Sequence, residues 1–231
     1  MNSDAPALEL TGLGRRYGAQ YVFRNLNLVV GVGKTLVLCG SNGSGKTTLL
    51  RVLSTRLRPS RGQGRVFGFD LAKEAHEVRR HIAYLSVFGG HYGALSALEN
   101  LRLAATLYQS DPSEVTEAEL EGKLEAVGLL AVKHERVRTF SSGMQKRLGV
   151  ARLLLSDADL WLLDEPYAAL DPEGRNLVDD LITTAKLQGR TVILASHEVE
   201  HASQFADSVL QLDKGELRRY GVLTHAEVAR G

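Results

Sequence analysis

Cysteine is almost absent. The one thiol, Cys39, cannot form an internal disulfide, so no disulfide framework staples this chain, and a reducing compartment suits it. An excess of either charge is absent too. The 28 Lys and Arg against 27 Asp and Glu leave a formal +1, which argues against a nucleic-acid binder relying on a basic surface. No apolar run approaches the roughly 20 residues of a membrane helix; Leu160–Leu163 and Val192–Ala195 are strand-length. The opening MNSDAPALEL has neither the basic nor the apolar region of a secretory leader, so a cytosolic chain is expected. Internal repeats and low-complexity tracts are missing as well. What remains is 231 residues, enough for one sizeable core with a sub-domain.

Short β-like runs open the chain, Leu8–Leu10 and then the partly alternating Tyr21–Val30. Thr35–Cys39 is a continuous apolar run of the kind that fully buried strands carry. A glycine-rich turn follows, then a helical pattern from Lys46 to about Arg56. Val66–Phe69 and Ile82–Leu85 read as strands, with a basic helix over Ala72–Arg80 between them. Ser96 with Glu99 and Thr116 with Glu119 are spaced as capping boxes opening two helices. In the second, Leu120, Leu124 and Val127 share a face and Gly128 is a plausible stop. Then come Leu160–Leu163, a helix near Glu173–Gln188, the strand Thr191–Ala195, another helix and the strand Ser208–Leu212. Buried strands alternating with helices predict an α/β fold with a mainly parallel sheet, into which a helical block over about 87–156 is inserted.

Gly40-Ser41-Asn42-Gly43-Ser44-Gly45-Lys46-Thr47 fits G-x-x-x-x-G-K-[ST] in full, between a buried strand and a helix. Glycines let backbone amides turn inward around phosphates, and a helix N-terminus adds a positive dipole end. Lys46 can then reach the β- and γ-phosphates of ATP, and the Thr47 hydroxyl can ligate Mg²⁺. The bland alternative is an ordinary glycine-rich turn, which strand, loop and helix together disfavour. Asp164 and Glu165 close the run Leu160–Leu163, placing an Asp for the magnesium shell and a Glu to polarise the attacking water. Alone they would be a common exposed acidic pair. Ser141-Ser142-Gly143-Met144 precedes the amphipathic run Lys146–Leu155 and reads equally as a helix cap or as a second anion site.

In these motifs and their order the chain resembles the nucleotide-binding subunits of ATP-binding-cassette (ABC) transporters, over nearly its whole length. The resemblance implies a P-loop NTPase, RecA-like core with an N-terminal antiparallel β-subdomain and a helical subdomain insertion. A single domain over 1–231 would place core and β-subdomain at about 1–86 and 157–231. Gly40–Thr47 with Thr48 would bind the nucleotide, with Lys46, Glu165 and His197 catalytic and Thr47 and Asp164 holding Mg²⁺. Ser141, Ser142, Gly143 and Met144 look like the signature usually written LSGGQ, with Ser142 replacing a Gly and Met144 the Gln. Ala168-Ala169-Leu170-Asp171 resembles the D-loop. Tyr17 sits where the family stacks an aromatic on adenine; otherwise it is a surface Tyr near Arg15 and Arg16. Two such subunits pair head to tail, so each ATP would lie between one phosphate loop and the partner's signature.

One position departs from the pattern. After the strand ending at Leu85 the family usually carries a Gln that touches magnesium and water and couples to the membrane domain; here Val87 stands there. Either a neighbour such as His91 substitutes, or water completes the shell. The resemblance implies an ATPase, peripheral at the inner face of the cell membrane, that moves permease subunits through the segment Val87–Leu103. It would act as a homodimer or as a pseudo-dimer with another ABC subunit, without nucleic acid. Leu95–Leu101, the Phe140–Met144 variant and the short chain resemble exporters, nearest the haem exporter of cytochrome c maturation, with multidrug or lipid exporters as rivals. A soluble ABC ATPase acting on ribosomes or DNA is a more remote reading. So is a zinc peptidase, since His197-Glu198-Val199-Glu200-His201 spells H-E-x-x-H. That chemistry needs both histidines on one helix and a third ligand, for which Glu216 and Glu227 are poorly placed, and His201 is expected to face solvent.

Overall fold

The buried-strand runs are buried along their whole length in the structure, a computed structural model that describes residues 5–87, 90–108 and 115–220. Described residues within 5–84, 158–165 and 182–220 form one unit; those within 85–157 and 166–181 form another.

The first unit opens with β1 (Leu8–Tyr17), β2 (Gln20–Val30) and β3 (Thr35–Cys39), followed by α1 (Lys46–Leu53). It continues through β4 (Arg61–Val66), β5 (Phe69–Asp70), α2 (Ala75–Arg80) and β6 (Ile82–Leu85), whose last residue already belongs to the second unit. After the helical block the chain returns as β7 (Leu160–Asp164), then β8 (Thr191–Ala195), α7 (Val199–Ala202), β9 (Ser208–Asp213) and β10 (Glu216–Arg219). Two sheets result, in the orders β2-β1-β4-β5 and β10-β9-β3-β8-β7-β6. The first is antiparallel; in the second, β3 pairs parallel with β8 and β9, and β7 parallel with β8. Leu8, Leu10, Leu13 and Phe23 of the first sheet share one apolar core with Leu36, Leu38, Ile193 and Leu210 of the second and Leu49, Leu50 and Leu53 of α1. The parallel sheet is covered in the way that continuous apolar strands require.

Several boundaries moved, each for a local reason. β1 runs well past the apolar Leu8–Leu10 because its register shifts where the alternation breaks. At the first shift Gly12 takes a left-handed φ of 58° and its amide donates to the Asn27 side-chain oxygen at 2.8 Å. Val66–Phe69 is not one strand. Phe67 (φ 48°) and Gly68 (φ 86°) are consecutive left-handed residues, which makes them the hairpin turn between β4 and β5. α2 begins at Ala75 rather than Ala72, because the Asp70 carboxylate accepts from the amides of Ala72 and Lys73 at 2.8 and 3.0 Å. Those amides prefer that local bond to a helical one.

The second unit holds α3 (Ala97–Tyr108), α4 (Glu117–Ala126), α5 (Ser142–Leu153) and the first turns of α6 (Pro172–Leu187). Both capping boxes form: the Ser96 amide donates to Glu99 at 2.7 Å while Ser96 Oγ accepts from the Glu99 amide at 3.1 Å, and Thr116 with Glu119 repeats the exchange. Gly128 (φ 70°) ends α4, with the Leu129 amide reaching back to Leu124 and the Gly128 amide to Glu125, a Schellman closure. Among the described residues no helix is long and apolar enough to cross a membrane.

The pattern missed two strands, the exposed β10 and β4, whose Arg61–Val66 contains two glycines and little apolar surface. Gly62 explains both facts. It has φ 73°, and a Cβ there would lie 2.1 Å from the Gly12 carbonyl oxygen. Gly62→Ala should therefore force β4 off β1 and cost at least ~2 kcal/mol. An unchanged urea midpoint would contradict this account of the pairing.

Candidate active site

The site is built at the C-terminal ends of β3, β7 and β8. β3 ends at Cys39, and the chain must turn at once into α1. Gly40 permits it: its φ is 143°, and a Cβ there would lie 2.4 Å from the Leu212 carbonyl oxygen. Gly45 is the N-cap of α1 at φ 108°, and having no side chain it leaves the first-turn amides uncapped. That turn, Lys46-Thr47-Thr48, carries no acid, so positive backbone dipole faces the loop unopposed. Ser41, Asn42 and Gly43 are exposed, while the Ser44 hydroxyl is buried with no hydrogen-bond partner. An orphaned buried donor beside an uncapped helix N-terminus fits a phosphate.

Lys46 is 6% exposed. Its ammonium donates to the carbonyls of Gly40 at 2.7 Å and Ser41 at 3.3 Å, and lies 3.7 Å from a Glu165 carboxylate oxygen. Asp164, the last residue of β7, is completely buried. Its Oδ1 accepts from the Thr47 hydroxyl at 3.0 Å and its Oδ2 from the Tyr84 hydroxyl at 2.9 Å. A hydroxyl beside a carboxylate is the hard-oxygen donor pair that suits Mg²⁺. Glu165 has a left-handed φ of 48°, and its amide donates to the Ala195 carbonyl at 2.9 Å, which turns the side chain toward Lys46. Its other oxygen lies 2.8 Å from His197 Nδ1 and accepts from the His197 amide at 3.2 Å.

Tyr84 was not singled out in the sequence. Burial first, then the Asp164 charge and the hydrogen bond to it, raise the phenol above its ordinary pKa, with Arg51 opposing. The proton therefore stays on the phenol oxygen. Tyr17 is half-exposed at the end of β1, and the Arg15 guanidinium lies over its ring 4.7 Å from the centroid. Arg15 occupies one face of the ring, so a base could stack only on the other.

The second unit carries the remaining sequence-predicted residues. Ser141 is the N-cap of α5, its hydroxyl accepting from the Met144 amide at 3.2 Å, so the capping reading of this hydroxyl holds. Ser142 stands exposed at the first helical position. Gly143 passes close to the Ala169 carbonyl, which an added Cβ would approach to 3.0 Å. Asp171 caps α6 by accepting from the Gly174 amide at 2.8 Å, and Arg147 bonds it at 2.7 Å. That amide bond first, and Arg147 second, hold the Asp171 carboxyl below its usual pKa.

His197 and His201 do not share a helix, since α7 begins at Val199; His201 is half-buried, with one edge against Phe205. Among the described residues no three metal-ligating side chains gather to hold a metal ion. Glu216 lies on β10, and Glu227 lies outside the described residues. The H-E-x-x-H spelling is thus split between a strand end and a short helix.

Comparison with known proteins matches residues 23–168 to the model of the family described as ABC transporter. The ABC transporter ATP-binding protein NatA of Bacillus subtilis (strain 168) is 34% identical over 87% of this chain and 81% of its own length. The daunorubicin resistance ATP-binding protein DrrA3 of Streptomyces coeruleorubidus is 34% identical over 97% of this chain and 71% of its own. Among solved structures, an ATP-binding subunit of an ABC transporter superposes with a TM-score of 0.83 at 29% identity, covering 94% of this chain and 90% of that one. The bacterial ABC transporter cassette MJ0796, solved as a dimer, has the same fold, with a TM-score of 0.83 at 23% identity over 97% of this chain and 99% of that one.

His91, the residue considered as a stand-in for the absent Gln, is committed elsewhere. Its Nε2 lies 2.7 Å from the Gln145 carbonyl and must donate to it, leaving Nδ1 buried and without a partner. Burial first, then the Arg152 charge and, more weakly, Lys146 depress its pKa to about 4, against the raising effect of the Gln145 bond. Between pH 6.5 and about 4 the unfolded chain takes up a proton that folded His91 refuses. Stability therefore falls as pH drops through that window. His91→Gln should remove roughly 2 kcal/mol of the stability lost between pH 7 and 5 in urea titrations. Equal acid losses in the two proteins would contradict the assignment.

Proposed function

The chain belongs to the ABC transporter family, and on that premise we propose that it is the ATP-hydrolysing subunit of an exporter, completed by a second ABC subunit and by transmembrane permease partners. The observation that carries this reading is the buried Lys46 ammonium, held by the Gly40 and Ser41 carbonyls of the glycine-rich loop, with Glu165 beside it and Asp164 bonded to the next residue, Thr47. The loop amides, the α1 N-terminus and Lys46 bind the β- and γ-phosphates; Ser44 supplies one more donor. Thr47 and Asp164 would hold Mg²⁺, which when bound neutralises phosphate charge and orients the oxygens. Tyr17 offers its free ring face to adenine.

Glu165 is the group that polarises the attacking water. Its carboxylate lies between Lys46 on one side and His197 on the other. A γ-phosphate is a stronger partner for both cations and donors than a single carboxylate. Its arrival draws Lys46 and His197 toward the phosphate and lets the Glu165 carboxylate turn to water. Hydrolysis and phosphate release restore the pairing.

Ser141–Met144 of the second subunit would complete each site from across the dimer, with the Ser142 hydroxyl and the α5 amides as donors. A cassette of the same fold has been solved as a dimer, which supports that arrangement. Together with the helical block at about 87–156, residues 1–231 then act as a single ABC ATPase domain. It works at the inner face of the membrane through the permeases. For cargo, relatives named for daunorubicin resistance, Nod factor export and fluoroquinolone export favour a drug-type small molecule. Haem export keeps the resemblance in Leu95–Leu101 and Phe140–Met144 as its support.

Lys46→Ala should weaken binding of a fluorescent ATP analogue by about 100-fold or more; affinity retained within a few-fold would defeat the site assignment. Glu165→Gln should keep that affinity, lose turnover and elute as an ATP-dependent dimer on size exclusion. A persistent monomer with ATP bound would sink the shared-site proposal.

A further inference from the structure

Val87 cannot hydrogen-bond through its side chain, and His91 is held by the Gln145 carbonyl. Yet a polar side chain from the same strand does reach the carboxylate proposed for magnesium. Tyr84 lies on β6, the sheet neighbour of β7, three residues before Val87 and at the last position before the chain passes into the second unit. Its hydroxyl donates to Asp164 Oδ2 at 2.9 Å. The ring is fixed from above by the Arg56 guanidinium, 4.8 Å from its centroid.

On the proposed reading of the site as a magnesium-nucleotide ATPase, we propose that Tyr84 is the positioning residue for Asp164. It performs from β6 the polar work that Val87 cannot perform from the following loop. The two oxygens of Asp164 are asymmetric. Oδ1 faces Thr47, a residue of the phosphate loop's own helix, whose one hydroxyl would give its proton to Oδ1 and its oxygen to a metal at once. Oδ2 faces Tyr84, which belongs to a different strand and has no such second duty. When Thr47 is recruited, the phenol keeps the carboxylate plane from rotating, so Oδ1 stays aimed at the phosphate loop. Groups that orient a ligand without touching the metal commonly govern its affinity. The placement has a second consequence. A shift of Asp164 on metal binding would reach Tyr84 directly, one peptide bond before the segment that begins at Leu85.

The test removes one oxygen atom. Tyr84→Phe keeps the ring beneath Arg56 and deletes the hydroxyl. A fluorescent ATP analogue is titrated into wild type and variant, in EDTA and then across a range of Mg²⁺. The variant should match wild-type affinity in EDTA within about twofold, while its half-saturating Mg²⁺ rises about tenfold. An unchanged Mg²⁺ requirement, or a tighter one, overturns the proposal. Fluorotyrosine placed at position 84 gives a second reading in a chain that keeps the hydroxyl. Its fluorine resonance should move when Mg²⁺ joins a nucleotide-loaded chain; a resonance that stays put counts against the proposal. A wild type whose nucleotide binding ignores Mg²⁺ overturns the proposed site itself. A wild type that responds, beside a variant responding identically, overturns only the role of Tyr84.

Discussion

A buried ammonium must find anionic or carbonyl partners, and the Lys46 ammonium organises everything around it. Taking a charge out of water is costly unless the geometry replaces the lost hydration. Here the replacement is the Gly40 and Ser41 carbonyls and the flank of Glu165. Gly40 can present its carbonyl only because it lacks a Cβ, since the Leu212 backbone occupies that space. The same constraint makes the chain leave β3 abruptly; beyond it Gly45 leaves the first turn of α1 uncapped and the Ser44 hydroxyl has no partner. The loop is therefore shaped for an anion before one arrives.

Glu165 shows how backbone geometry bears on chemistry. Its left-handed backbone is a strained choice for a residue with a side chain. The strain is offset by the bond from its amide to Ala195, which continues the β7–β8 pairing one residue past the strand. The result points a carboxylate at Lys46 and His197 together. On the proposed reading, the carboxylate that polarises water is held between these two groups, and the substrate's charge would draw them from it. His197 reaches this point because β8 delivers it, which is also why it cannot serve on a helix beside His201.

Much of this was legible because it is local in the chain. The strand before the loop, the glycines in it and the helix after it are contiguous, and Thr35–Cys39 and Thr191–Ala195 have the bounds that their apolar runs mark out. Both capping boxes and the Gly128 stop are likewise encoded within a few residues. The misses are of another kind. β4 is held by backbone pairing to β1 and so has no apolar signature, and the turn at Phe67 and Gly68 hides inside an apolar stretch. Tyr84 meets Asp164 across two neighbouring strands that are 80 positions apart in the chain. No periodicity announces such a pair. A phenol on an otherwise apolar buried strand was the only hint.

Lys46, Asp164, Glu165 and His197 belong to one unit, and Ser141–Met144 to the other, where the Ser141 hydroxyl is spent on capping α5. The account holds that one subunit's phosphate loop is finished by a second subunit's α5. The most direct test is turnover per chain measured against chain concentration at saturating Mg²⁺ and ATP. It should rise with concentration and level off as dimers fill. Turnover per chain that is constant from the nanomolar to the micromolar range would contradict the account.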